Sequence, residues 1–408
     1  MGKKSIFQNK EVMNAIYIGS LCSVSYLAVY VARNVLGAVS PGMLDNGFGE
    51  VFIGKASSIY FIFYAIGQLI NGAIGDKVKA KYMISIGLFM AGVTNFLFSV
   101  FSATHPYISI IIYGFTGFFL SMIYGPMTKV VAENTLPIYA TRCSLGYTVS
   151  SFLGSPFAGI LAALLMWRLV FSVSSIILIV MAVVCFVVFG IFEKKGIVEF
   201  NKYAKPKVKG GSIKLLIERS IIKFTVISFI TGIVRTTVVF WLPTYISQYL
   251  GFSSEDSAFI FTVATFIISF TAFIAVFVYE KLKRNMDLTI LIMFVSSTAL
   301  FALLYFVKTP WLNISIIVGA IMASNAAATM LWSRYCPSLR DTGMVSGATG
   351  FLDFVSYMAA SLSSAIFANA VSSIGWGNLI LVWFGLAMVG VLISLPYKKK
   401  KVETTKLQ

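Results

Sequence analysis

Apolar residues run along the chain in long unbroken blocks, without the alternation of a strand or the one-sided period of a surface helix. Each block reaches about 20 residues, the length a helix needs to cross the hydrocarbon core of a bilayer. Twelve spans are predicted, at roughly 13–38, 53–75, 82–103, 107–131, 143–166, 169–192, 221–247, 256–279, 287–307, 311–333, 344–371 and 376–396. Most connections are short. The exception is 193–220, EKKGIVEFNKYAKPKVKGGSIKLLIERS, which is polar and basic and carries Pro206, Gly210 and Gly211. The pattern predicts an all-α membrane protein of twelve transmembrane helices in two six-helix halves. Residues 1–192 form the first half, 193–220 a basic linker, 221–397 the second half and 398–408 a tail.

Composition agrees. Of 408 residues, 58% are hydrophobic and 12% charged, about half the charge of a soluble domain, and mean hydropathy is +0.88. A soluble fold cannot hide so much apolar surface, so a soluble enzyme, a nucleic-acid binder and a disordered chain are poor readings. The net charge of +17 reads as cytoplasmic-loop enrichment in Lys and Arg. Lys3, Lys4, Lys10, Lys77, Lys79, Lys81, Lys281, Lys283, Arg284 and 398–401 fall on one side with the central loop. Asp45, Glu50, Glu255 and Asp256 fall on the other. Both termini are therefore expected in the cytoplasm, with the chain multi-pass in the cell membrane. The N-terminal segment runs straight into the first span without a cleavage site. Trp167, Trp311 and Trp376 are expected at the outer interface. Cys22, Cys143, Cys185 and Cys336 are scattered, and the single histidine, His105, is in a loop. No metal site, disulfide framework or cofactor is indicated. No nucleophile–base–metal set marks an enzyme, and no GxxxxGK[ST] loop marks an ATP-driven pump.

The two halves share a register. Arg33 precedes Pro41 by eight residues and Arg235 precedes Pro243 by eight. Pro41 to Asp76 is 35 residues and Pro243 to Glu280 is 37, the difference falling at NGF (46–48) against LGF (250–252). Internal repeats of this kind are common in secondary transporters, with the substrate site between halves near the midplane. The layout resembles the major facilitator superfamily, and GDKVKAK (75–81) resembles its signature loop between spans 2 and 3, with YEKLKRN (279–285) a degraded copy. The resemblance implies a gating role for Asp76, Lys77 and Lys81; simple positive-inside charge is the alternative.

Three ionisable residues lie at membrane depth: Arg33, Arg235 and Asp353. Each costs at least ~2.5–3.5 kcal/mol to insert, so each has a role or a partner. The arginines occupy matching positions, and a two-fold arrangement turns both into one central cavity. Guanidinium binds oxyanions through a planar fork, so the pair reads as a phosphate or carboxylate site; ion pairing or snorkelling is the bland alternative. Asp353 reads as a salt-bridge partner of Arg235, as a protonatable coupling residue, or as an incidental polar group. Tyr357, one turn later, can bond to it. Gln68, Asn71, Asn325, Thr148, Thr236 and Trp241 can touch substrate, though small polar residues also pack membrane helices together.

The chain is similar to the organophosphate:phosphate antiporters over all twelve spans, most clearly in YVARN (30–34), YAIGQLINGAIGDK (64–77), WLPTY (241–245), SGATGF and the later Gly375–Trp376. The resemblance implies that Arg33 and Arg235 hold a substrate phosphate from opposite halves, with Tyr26, Tyr30 and Tyr64 around it. Departures from the family are Gln68 for a lysine, a position near Thr148 for a histidine, Phe240 and Thr265 for acids, and Asp353 for a small residue. The site is thereby less positive. The expected function is exchange of a small organic anion, an organophosphate against a phosphate counter-anion, by a monomer that works by alternating access. A proton-coupled or exchange carrier of carboxylates is the runner-up. A non-transporting organophosphate sensor is the reading from another class, disfavoured by the short tail.

Overall fold

The computed structural model describes residues 10–75, 78–199, 213–339 and 345–396. Asp76, Lys77, residues 200–212 of the linker and the lysines of the tail lie outside the described residues, as does the side chain of Thr148.

Among the described residues the chain is helical, without strands. The first half comprises α1 (Lys10–Asp45), α2 (Glu50–Gly75), α3 (Ala80–Phe101), α4 (Pro106–Asn134), α5 (Pro137–Leu164) and α6 (Trp167–Lys194). After a single helical turn at Ile213–Glu218, the second half has α7 (Ile221–Gln248), α8 (Ser254–Lys281), α9 (Met286–Phe306) and α10 (Pro310–Tyr335). The last stretch, Val345–Ser394, is broken at Gly375, whose φ is 75°. It forms α11 (345–374) and α12 (376–394). The helices alternate in direction, so residues 10, 194–199 and 396 share one face, here the terminal face; the opposite one is the far face.

These segments are helical because an apolar backbone in lipid must satisfy its own hydrogen bonds. Their outer surfaces stay apolar: on α6, Ile176, Val180, Val183 and Val187 lie 59%, 53%, 57% and 51% exposed, one lipid-facing stripe at helical spacing. Between helices, small polar groups replace hydrophobic burial. Asn95 of α3 donates to Ser174 and Ser175 of α6 at 2.9 and 3.0 Å, and Asn71 of α2 donates to Ser121 of α4 at 2.7 Å.

The halves meet at the far face. Ser40 of α1 and Thr244 of α7 share a hydrogen bond of 2.7 Å. Ser58 and Ser361 are 3.0 Å apart, and Ser57 donates to Ser364 at 3.2 Å, joining α2 to α11. Gln248 donates to Glu50 at 2.8 Å, and Ser254 donates to Asp45. Glycine allows this approach. A Cβ on Gly54 would stand 2.3 Å from that of Ala368, and one on Gly37 would stand 3.0 Å from the Phe240 ring. Among the described residues, no hydrogen bond or ion pair joins the halves between the level of Tyr357 and the terminal face. The second apolar core, around Phe224, Tyr335 and Leu352, is built from the second half alone. Among the described residues, the polar links between the halves lie at the far face and at the level of Tyr357.

Two of the three expected interfacial tryptophans sit elsewhere. Trp311 is exposed at 64%, but Trp167 and Trp376 are buried. Trp376 donates to Gln248 at 3.1 Å and Trp167 packs edge-on to Phe48. Both close the far face from inside, where a large ring fills the space between helix ends. The helices also run longer than the apolar blocks, since α1 reaches Asp45 through Pro41.

Candidate anion-binding site

Arg33 projects from the middle of α1 and is half-buried. Its Nη1 donates to the Tyr357 hydroxyl on α11 at 2.8 Å. Four rings surround the guanidinium carbon: Tyr357 at 4.8 Å, Tyr30 at 5.1 Å, Tyr64 at 5.2 Å and Phe61 at 5.7 Å. Each such contact stabilises a cation by about 0.5–2 kcal/mol, depending on desolvation. The rings offset the cost of burial without neutralising the charge, which leaves Arg33 able to attract an anion.

Arg235 sits in a π turn, Ile233–Val238, within α7. Below the turn, Ser228 donates to the Leu352 carbonyl at 2.7 Å and Gly232 abuts Ser356. Within it, Thr237 donates to the Ala360 carbonyl at 3.1 Å and lies 2.6 Å from the Ser363 hydroxyl. A π turn inserts a residue into a helix, and such turns favour functional sites. The register that pairs Gly37 with Phe240 and Ser40 with Thr244 brings Arg235 to the depth of Arg33 on the opposite half. Arg235 is half-buried, and no hydrogen bond or ion pair within 4.0 Å engages it among the described residues.

Asp353 lies one turn before Tyr357 on α11, half-buried. No ion pair of 4.0 Å or less joins its carboxylate to Arg235 or Arg33 among the described residues. The register explains the gap: Arg235 is level with residues near 358, about five or six residues beyond Asp353, or roughly 8 Å along the axis. The Tyr357 hydroxyl accepts from Arg33, and no hydrogen bond links it to Asp353.

The other sequence candidates divide. Tyr26 and Tyr30 pack edge to face at 4.9 Å, and Tyr26 meets Tyr124 at 5.6 Å and Tyr147 at 6.0 Å, so the tyrosines form one cluster beside Arg33. Gln68, one turn from Tyr64, is half-buried with no hydrogen bond among the described residues. Trp241 is fully buried against Gly54 in the far-face seal, away from the arginines. Asn71 and Thr265 bond within the helix packing. Lys81 lies 4.0 Å from Glu193 of its own half and Lys79 lies 3.7 Å from it. Beside them residues 195–199 fold back, Glu199 donating its N–H to Asn134 at 2.8 Å. The depression on the far face, about 440 Å³, is lined by Asp45 and Glu255 and by no Lys or Arg; it repels anions. Sequence reasoning missed Phe61 and Tyr124 at the site and misassigned the partner of Tyr357.

A family model described as Major Facilitator Superfamily matches residues 22–361. The chain belongs to this superfamily. It is a multi-pass membrane transporter and not an enzyme. It is 21% identical over 420 residues to the glycerol-3-phosphate transporter of Bacillus subtilis (strain 168), covering 96% of this chain and 94% of that one. It is 23% identical over 397 residues to the hexuronate transporter of the same organism, covering 90% and 91%. Among solved structures, the D-xylose-proton symporter superposes with a TM-score of 0.72 at 11% identity over 94% of this chain and 97% of that one, a likeness of fold.

Proposed function

We propose that this transporter moves a small organic anion by alternating access, a phosphate ester in exchange for inorganic phosphate, with Arg33 and Arg235 as the anion clamp. One observation carries the reading: two arginines at equal depth on opposite halves, neither neutralised by a carboxylate within 4.0 Å among the described residues. An anion between them bridges the halves, and guanidinium forks match phosphate oxygens. Tyr26, Tyr30, Tyr64 and Gln68 complete the cavity. The similarity to a glycerol-3-phosphate transporter along nearly the whole chain supports phosphate esters. A carboxylate substrate is the second reading, favoured by the similarity to a hexuronate transporter.

The halves, 1–192 and 221–397, rock as two bodies joined by 193–220, with Asp76, Lys77 and Lys81 latching the terminal face when it closes. That face is cytoplasmic, by the Lys and Arg count, and the protein acts as a monomer in the cell membrane. Thermal unfolding of purified protein tests the reading, because a ligand that binds only the folded state raises its apparent stability. Phosphate and glycerol 3-phosphate should stabilise it in a dose-dependent way, and glucuronate less. Stabilisation by glucuronate alone would move the assignment to carboxylates.

A further inference from the structure

Glu50 is the first residue of α2 and Gln248 the last of α7, and their side chains meet across the far face. Gln248 Nε2 donates to Glu50 Oε1 at 2.8 Å, from the second half to the first. The other end of the same amide stays within its own half: Gln248 Oε1 accepts from Trp376 Nε1 at 3.1 Å. An indole nitrogen can only donate. The amide oxygen must therefore turn to Trp376, which leaves the amide N–H groups aimed at Glu50. One side chain joins α2, α7 and α12, and its orientation is set by the chemistry of its two partners.

Trp376 is itself held in place. It follows the break at Gly375, is buried, and packs edge-on to Tyr245 at 5.3 Å. Tyr245 in turn donates to Asn313 of α10 at 2.6 Å. Gln248, by contrast, is exposed. An exposed polar link between two long side chains contributes little when both ends must be ordered. Here the indole orders one end inside the second half, whether or not the halves touch. When they part, the Trp376–Gln248 bond stays intact and only the bond to Glu50 breaks. The depression of about 440 Å³ beside this link is lined by residues of both halves, among them Asp45, Gln248 and Glu255. Water can therefore take the place of the amide at Glu50, which makes the link reversible.

We infer that Gln248 is the far-face latch of the transport cycle and that Trp376 is its positioning residue. The amide, aimed by the indole, holds Glu50 while the far face is closed and releases it as the halves part. This rests on the alternating-access reading above and not on the identity of the anion. The strength of the latch sets how often the far face opens, and with it the rate of that half of the cycle.

Glu50→Gln and Gln248→Glu, made singly and together, test the latch in purified full-length protein. Spin labels at Asn46 and Thr309, exposed far-face sites on opposite halves, report the distance between the halves. Gln248→Glu sets two carboxylates against each other and should raise the ratio of open to closed far face roughly ten-fold, since like charges across an interface repel strongly. Glu50→Gln leaves a neutral bond in place of a charge-assisted one, about half as strong, and should raise the ratio less. In the double variant the amide and the carboxylate have changed places, both hydrogen bonds can form again, and the wild-type distance should return. Trp376→Phe keeps a ring and loses the donor; it should lengthen the distance in wild type but not in Gln248→Ala. A distance that ignores Gln248→Glu, or a double variant that does not recover, overturns the latch. An equal effect of Trp376→Phe in both backgrounds overturns its positioning role. A second label pair at Lys195 and Lys281, exposed on the terminal face, separates this inference from the reading beneath it. If that distance does not shorten as the far-face distance lengthens, the latch stands and alternating access falls.

Discussion

The 2.8 Å hydrogen bond from Arg33 Nη1 to the Tyr357 hydroxyl crosses from the first half to the second. Of the links between halves, it lies nearest the terminal face among the described residues. It occupies one arm of the guanidinium. A hydrogen bond to a charged group contributes about 1.5–3 kcal/mol, so Tyr357→Phe should lower the midpoint of thermal unfolding and slow uptake, and the loss should shrink when phosphate is added. An unchanged melting curve would show that the bond does not hold the halves together.

Arg33→Lys and Arg235→Lys keep charge and lose the planar fork. Each should weaken phosphate binding at least ten-fold, about 1.4 kcal/mol. Arg33→Lys should remain folded, because an ammonium group still lies among the four rings. Isothermal titration with phosphate measures the loss, and wild-type affinity in both variants would assign the arginines a structural part only.

The far-face seal depends on backbone approach at Gly54, where a Cβ would meet Ala368 at 2.3 Å. Gly54→Val should prevent closure there and stop transport without unfolding the protein. Spin labels placed on α1 and α8 at the far face should then report a longer distance than in wild type. Equal distances would mean that the interface yields to the extra bulk.

All four native cysteines are buried, so cysteines introduced at residues 202–210 can be labelled against a low background. A membrane-impermeant reagent should fail to label them in intact cells and succeed after permeabilisation. Labelling from outside would invert the orientation.

Span count, the paired arginines and the repeat were legible because bilayer thickness forces long apolar blocks and insertion cost leaves few charges inside them. The Pro41/Pro243 spacing located the arginines at matched depth, and the register across Gly37–Phe240 agrees. The π turn at Arg235 left no mark in the sequence, since IVRTTV reads as ordinary apolar helix. The serines of the far-face seal were visible only as small residues, at Ser57–Ser58 and 361–364, and their pairing required three dimensions. Trp376 was placed at the interface because position along a span does not tell which way a ring faces; here it turns inward to Gln248. Tyr357 was assigned to Asp353 by sequence proximity, whereas a neighbouring helix offers the stronger partner, a guanidinium donor.

On the exchange proposed above, two guanidinium groups on opposite halves set a barrier. Closing the empty cavity brings like charges together where screening is weak, and a bound anion removes that cost. The loaded carrier should reorient quickly and the empty one slowly, with Asp353 permitting some net flux. Uptake of labelled phosphate into proteoliposomes measures this directly. Vesicles preloaded with phosphate should take up label several-fold faster than empty ones, and Arg235→Lys should remove the difference. Equal rates in loaded and empty vesicles, with a proton gradient as the only driver, would contradict exchange through the arginine pair.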